Sequence, residues 1–290
     1  MLKYWVRSKS KDFHVIPTDT LYMTIDKDAV RKSGMMLQGD SIPDRMVISL
    51  KGKSALYKGD LMMLEMIDQC NWTRPIYVAL TVGSGNYMNL GDNFVQEGLA
   101  NRITPFTTKN SGLKDFDTEK TFENVTKRYK FGNVKQQGIY LDETVMRMCY
   151  THRRLMAQLA VHLASEGQNE KAAQVLALAE KEIPTYNVPA DFSSGSIDIA
   201  RAYTAIGQKD KAKATIEELW KKSTQYMQWY CSLDGLRFAN SQRDCQMHLY
   251  ILQMLGQIAA DVDQKTGEQY AQQLEGIFHM YQGKGGNLGI

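Results

Sequence analysis

The sequence predicts two unlike parts: a mixed α/β part over residues 1–140 that contains a βαβ unit, and an all-α array of helical hairpins over residues 141–290. Three observations lead there. Two six-residue segments match in the second half, Gly167-Gln168-Asn169-Glu170-Lys171-Ala172 and Gly207-Gln208-Lys209-Asp210-Lys211-Ala212, each where one amphipathic run gives way to the next. Runs rich in strand formers are confined to the first half. From Asp142 onward the apolar residues recur at helical spacing instead.

In the first half, Leu21-Tyr22-Met23-Thr24-Ile25 alternates, Met46-Val47-Ile48-Ser49-Leu50 is a short apolar run, and Ile76-Tyr77-Val78-Ala79-Leu80-Thr81 is the clearest strand. A helix is expected between the last two, capped by Asp60, carried by Leu61, Leu64 and Ile67, and ended over residues 71–75. Strand, helix, strand in this order suggests a right-handed βαβ unit, its strands parallel neighbours or one strand position apart. A short helix around residues 93–96 and a strand over residues 99–104, stopped by Pro105, would extend the sheet. Residues 106–118 are polar, rich in Lys and Thr, and read as a mobile loop. Asp26, Asp60, Glu97 and Asp142 stand at element edges, where capping or turn formation accounts for an acid.

In the second half, a small residue at each turn lets two helices fold back antiparallel, and the Ala five residues later lets them approach closely. Tetratricopeptide-type hairpins are built this way. Val145, Met148, His152, Leu155, Leu159 and Leu163 mark one face of a long helix; Ala172, Val175, Leu176, Ala179 and Ile183 mark the next, which Pro184 stops. A second hairpin is expected over residues 196–206 and 208–224, and a third over 241–262 and 267–281. The third keeps the period and loses the Gly-Gln signature, as a terminal capping unit does. The Gly-rich tail from residue 283 is expected to fray.

Composition narrows the function classes. With 35 basic and 32 acidic residues the formal net charge is +3, and neither the Arg7, Lys9, Lys11 group nor Lys221-Lys222 forms the basic stripe that a nucleic-acid binder needs. The four cysteines, at positions 70, 149, 231 and 245, include no CxxC pair, so neither a zinc site nor any other metal is expected; Cys149 and Cys245 fall on apolar faces and read as buried free thiols. No run approaches the roughly 18 to 20 apolar residues of a membrane span, and the opening residues do not form a signal peptide. His152 and His162 are too far apart on one helix to share an ion, and His152 reads as a satisfied core residue.

Gly83-Ser84-Gly85 follows a strand, but Met88 stands where a dinucleotide fingerprint needs a third glycine, so the turn is at most a place where backbone amides meet a phosphate or a sugar hydroxyl. No catalytic residue and no cofactor are expected. The aromatics offer more. Trp72, Tyr77 and Tyr87 gather around the clearest strand, and Trp220, Tyr226, Trp229 and Tyr230 crowd the end of the second hairpin; such faces suit sugar rings and protein hot spots, with core packing as the competing reading.

Several words in order carry a family resemblance: Asn71-Trp72-Thr73-Arg74-Pro75-Ile76-Tyr77-Val78-Ala79, Thr81-Val82-Gly83, and Glu97-Gly98-Leu99-Ala100-Asn101-Arg102-Ile103-Thr104-Pro105. Lys58-Gly59-Asp60-Leu61-Met62, Lys130-Phe131-Gly132-Asn133 and Gly138-Ile139-Tyr140-Leu141-Asp142 extend them. In these the chain resembles the C-terminal extracytoplasmic part of glycosyltransferase family 117, long known as domain of unknown function 2723. Those are multi-pass membrane proteins of Gram-negative bacteria, related to protein O-mannosyltransferases. The resemblance implies a place on the periplasmic face of the inner membrane. The binding candidates are Trp72, Arg74, Gly83, Ser84, Gly85, Tyr87, Glu97, Arg102, Trp220, Trp229 and Tyr230. The family's transfer chemistry is expected on loops beside membrane helices, so no catalytic residue carries over.

The expected function is therefore that of a non-catalytic accessory domain that binds or positions an acceptor protein, a glycan or the membrane part of the same polypeptide. A free-standing tetratricopeptide-like adaptor for peptides is the alternative.

Overall fold

Alternation decides the first sheet. In the computed structural model, which describes residues 19–36, 41–53, 55–108 and 114–286, strands β1 (Thr20–Thr24) and β2 (Arg45–Ser49) pair antiparallel. Their register sets Leu21 opposite Ile48 and Met23 opposite Met46 on the core side, while Tyr22 faces Val47 in solvent. Helix α1 (Lys27–Lys32) lies between them in sequence, and the Asp26 carboxylate caps it by accepting the N–H groups of Asp28 and Ala29 at 3.0 Å each.

Helix α2 (Lys58–Cys70) buries Leu61, Leu64 and Ile67 as their spacing predicts. It starts two residues before Asp60, whose carboxylate reaches back to accept the Tyr57 N–H at 2.9 Å. The second sheet is three-stranded and wholly antiparallel, in the order β3 (Tyr77–Ala79), β5 (Ala100–Ile103), β4 (Phe94–Gln96).

This arrangement corrects the βαβ reading, because the strands before and after α2 belong to different sheets and both pair antiparallel. Residue patterning shows where a chain is extended and leaves its partner open. β3 is also shorter than its apolar run, since the Val82 N–H turns back onto the Ala79 carbonyl at 3.0 Å. The helix expected around residues 93–96 is a second correction. A single 3₁₀ turn (Gly91–Asn93) leads directly into β4, where Phe94 and Val95 are both buried, and the Asn93 side chain donates to the Phe106 carbonyl at 2.9 Å.

Residues 109–113 of the expected loop lie outside the described residues, as do Arg7, Lys9 and Lys11. After them Phe116 is buried and Asp117 caps α3 (Thr118–Glu123) by accepting the Lys120 N–H at 2.9 Å. One core, built on Val30, Met46, Ile48, Ile67, Trp72 and Leu90, holds the two sheets, α1 and α2 together. The compact units of the chain divide between Asn124 and Val125, within a π-helical turn (Asn124–Arg128) that follows α3.

The second unit is all helical: α4 (Glu143–Ser165), α5 (Asn169–Glu182), α6 (Ser196–Ala205), α7 (Lys209–Ser232), the short α8 (Gly235–Asn240), α9 (Gln242–Val262) and α10 (Gln264–Gly283). The pairs α4/α5, α6/α7 and α9/α10 are the three hairpins, and α4 against α6 and α7 against α9 join them. Small sheets followed by an all-α array is the architecture that the sequence predicts.

The repeated Gly-Gln turns close by the same bonds. Gly167 N–H donates to Ala164 O at 3.0 Å and Gln168 N–H to Leu163 O at 2.8 Å; Gly207 and Gln208 repeat this onto Thr204 O and Tyr203 O at 3.1 and 2.9 Å. Both glycines are left-handed, at φ +76° and +75°, and Ala172 and Ala212 are fully buried. A methyl group at either glycine would meet nothing within 4 Å, so the requirement is conformational and not steric. Gly167→Ala and Gly207→Ala are each expected to cost about 1 kcal/mol, roughly additively, in urea unfolding. A double variant as stable as the parent would show that these turns do not hold the left-handed form.

The last hairpin turns without glycine. Asp263 caps α10, accepting from the N–H and hydroxyl of Thr266, and Gly267 sits against Ala260 so closely that a Cβ there would lie 2.6 Å from the Ala260 Cα. On α4 the buried face begins at Cys149 and runs through Leu155, Leu159 and Leu163, leaving Val145 and Met148 exposed. His152 is packed edge-on to Tyr129 and Phe131, with ring centroids at 5.6 and 5.5 Å, but its Nδ1 is buried with no hydrogen-bond partner. It is half-buried at the edge of the core and not the satisfied core residue expected, and burial holds its pKa below the ordinary histidine value. Cys149 and Cys245 are buried free thiols.

Candidate functional site

Helix α7 is longer than its hairpin partner. The 10 residues of α6 span about 15 Å and the 24 of α7 about 36 Å at 1.5 Å per residue, so the C-terminal turns of α7 outrun α6. Nothing in residues 225–232 breaks the helix, which therefore continues past the expected end near residue 224. Helix α9 and the 3₁₀ turn at Phe192–Ser194 pack in this region, and here the chain places Tyr226, Trp229 and Tyr230.

The rings form a continuous series. Phe192 meets His248 edge-on at 5.8 Å, His248 stacks on Tyr226 at 4.7 Å and 19°, Tyr226 stacks on Tyr230 at 6.2 Å and 25°, and Trp229 tilts onto Tyr230 at 4.8 Å. One end is covered and the other open: His248 is 4% exposed and Trp229 is 55% exposed. At the covered end, Lys222 pairs with Asp191 at 2.9 Å and donates to the Ala190 carbonyl at 3.1 Å, tying the 3₁₀ turn to α7. Burial is the main cause that holds His248 below the usual histidine pKa; Asp191 and Asp244 oppose it, and Lys222 adds to it. Its Nδ1 has no hydrogen-bond partner. An imidazole kept neutral can stack as a flat aromatic plate, which is the part it plays here.

The other aromatic candidates separate. Trp220 is buried against Tyr270, with ring centroids at 4.2 Å, more than two helical turns before Trp229. Trp72 is buried in the core of the first unit and Tyr87 packs against that core, ring to ring with Phe94 at 5.0 Å, its hydroxyl donating to the Val82 carbonyl at 2.8 Å. Arg74 is exposed. Gly83 precedes and Ser84 and Gly85 begin an exposed 3₁₀ turn (Ser84–Asn86); neither glycine has a positive φ, and a methyl group on either would meet nothing within 4 Å.

Glu97 and Arg102 do come together, as a buried polar centre. Arg102 Nη1 lies 3.2 Å from Glu97 Oε1 and its Nη2 donates to the Ser33 carbonyl at 2.9 Å. Lys120 Nζ reaches the same Oε1 at 3.0 Å, and the Tyr77 hydroxyl donates to Oε2 at 2.6 Å. Burial pushes the Glu97 carboxyl up, but the hydrogen bonds from Tyr77 and Lys120 and the two positive charges outweigh it, so its pKa stays below the ordinary value. The Tyr77 hydroxyl is pushed up to about 12, first by burial and then by its bond to Glu97. Glu97 is thus an ion-pair residue and not a cap, while Asp26, Asp60 and Asp142 serve at helix starts.

Residues 2–121 match the family model for TMEM260-associated domain 2. The TMEM260-associated match ends just short of the division after Asn124, so it takes in Trp72, the Glu97–Arg102 centre and both small sheets, and leaves the helical array outside. No curated protein and no solved structure matches the chain. Of the residues in the ring series, the sequence singles out Tyr226, Trp229 and Tyr230 and misses His248 and Phe192. The available signal for His248 was its place on the apolar face of α9, which reads equally well as plain core. No described helix is long and apolar enough to cross a membrane.

Proposed function

We propose that this chain is a non-catalytic extracytoplasmic part of a membrane glycosyltransferase-like protein, on the periplasmic face of the inner membrane, and that the ring series on α7 and α9 binds or positions an acceptor protein or glycan. The observation that carries the reading is the open end of that series, where Trp229 lies 55% exposed beside Tyr230 on a helix braced from behind by α9. Large rigid rings lose little conformational entropy when a partner covers them, and both saccharide faces and protein hot spots use them.

Two further points support it. The match to the TMEM260-associated family model over residues 2–121 joins the resemblance to glycosyltransferase family 117 in pointing to membrane proteins akin to protein O-mannosyltransferases. The acids that the sequence singled out are occupied as helix caps or in the Glu97 ion pairs, which leaves them no part in a general acid and base pair.

The test is a heteronuclear NMR titration of the intact chain with mannobiose, an O-mannosylated Ser/Thr peptide and the same peptide unmodified. Binding of either sugar-bearing probe should perturb the Trp229 indole and the rings of Tyr226 and Tyr230, and Trp229→Ala should weaken it at least tenfold while leaving stability within about 0.5 kcal/mol, as for other exposed positions. Equal binding of the bare peptide at the same rings would favour the free adaptor. Binding indifferent to Trp229→Ala, or none of the three probes touching these rings, would remove the aromatic face from consideration.

A further inference from the structure

Two cysteines lie on the packed helices that carry the ring series, Cys231 on α7 and Cys245 on α9. The buried stripe of α7 runs through Ile216, Trp220, Ser223 and Met227, and Cys231 continues it one turn further on, half-buried. Cys245 opens the buried stripe of α9, followed by His248, Leu249 and Leu252. The rings fix the register of the two helices, because Tyr226 and Tyr230 both meet His248, at 4.7 and 6.1 Å. The C-terminal end of α7 is thereby set against the N-terminal end of α9, and the two cysteines fall at the matching ends of the facing stripes.

We propose that Cys231 and Cys245 form a disulfide under oxidising conditions, locking α7 to α9 at the base of the aromatic face. Burial raises the Cys245 thiol to about 11, with Cys231 as the second cause.

The order of events follows from the surroundings. Cys231 is the more accessible thiol, and although burial raises its pKa, the Lys284 ammonium beside it acts in the opposite direction. As thiolate it attacks one sulfur of a disulfide oxidant such as oxidised glutathione, forming a mixed disulfide and releasing one glutathione thiolate. The Cys245 thiolate then attacks the Cys231 sulfur, and the second glutathione leaves. The pair gives up two electrons and two protons; the oxidant takes up both and departs as two thiols. Because both thiols are raised, the reaction accelerates with pH across the neutral range.

The test needs no ligand and does not depend on where the protein resides. The intact chain is incubated with oxidised glutathione or with dithiothreitol at pH 8, free thiols are alkylated, and intact mass and peptide maps are compared. The oxidised sample should be 2 Da lighter before alkylation, carry one peptide pair joining residues 231 and 245, and unfold at a temperature several degrees higher than the reduced sample, because the bond closes a loop of about 15 residues. Cys231→Ser should abolish the mass change and the shift together, while Cys70→Ser should keep both. Full alkylation of both cysteines after oxidation, a stable glutathione adduct on Cys231, or pairing with Cys70 or Cys149 would each overturn the proposal. The wild-type peptide map is decisive even where a Cys245 variant folds poorly.

Discussion

Gly195→Ala should cost about 3 kcal/mol of folding stability, the sum of a left-handed backbone penalty of about 1 to 2 and an overlap penalty of similar size. Gly195 closes the 3₁₀ turn that carries Phe192 and opens α6, at φ +79°. Unlike the glycines of the repeated turns it is also crowded. A Cβ there would lie 2.6 Å from the Arg154 Cγ, 2.9 Å from the Arg154 nitrogen and 3.2 Å from its Cα. A side-chain tip can move away, but the backbone of α4 cannot move without dragging the helix. Gly167→Ala is the matched control, since it carries the backbone penalty alone. Urea midpoints at equal m-value are the measurement. A Gly195 variant no less stable than the Gly167 variant would mean that α4 does not press on this turn.

The second large effect belongs to Glu97. Glu97→Gln leaves the Arg102 guanidinium, whose side chain is 3% exposed, with the Ser33 carbonyl and no anion, and breaking a buried pair in this way costs about 3 to 5 kcal/mol. Lys120 contributes little to that figure, because its own side chain is 39% exposed and solvent screens it. Replacing both charges, as Glu97→Gln with Arg102→Met, should recover much of the loss, and the double-mutant cycle then reads the coupling directly.

The same centre sets a pH dependence. The folded pKa of Glu97 lies below its unfolded value near 4.5, so the unfolded chain binds the proton more readily. Its contribution is fully present above the unfolded value and is lost as pH falls through the folded one. Denaturation midpoints of the parent should therefore drop below about pH 5 more steeply than those of the Glu97→Gln variant. Parallel curves would show that the carboxylate is not selectively held in the folded state.

The helical array was legible because its signals are local. A glycine that must be left-handed and an alanine that must be small lie five residues apart, and both recur forty residues later. The sheets were not legible in the same way. Met46 and Ile48 announce a strand, but nothing near them says that the partner is Leu21 and Met23 or that β3 belongs elsewhere. Glu97 was read as an edge acid because its partners stand 5, 20 and 23 residues away in sequence. Trp220 and Trp229 looked like one cluster for a related reason. Their separation along α7 puts them in different environments, the first under α10 and the second in solvent, and the helix had to be known to run to Ser232 before that could be seen.

The unequal lengths of α6 and α7 limit how this array could have grown. A helix that begins against one hairpin partner and finishes against a helix of the next repeat welds the two into a single block. Removing the terminal hairpin would strip Tyr270 from Trp220 and take away His248, on which Tyr226 stacks, instead of leaving two self-sufficient modules. Repeats of this kind cannot be added or deleted at that end like beads on a string, and any change in their number would have to start before α6.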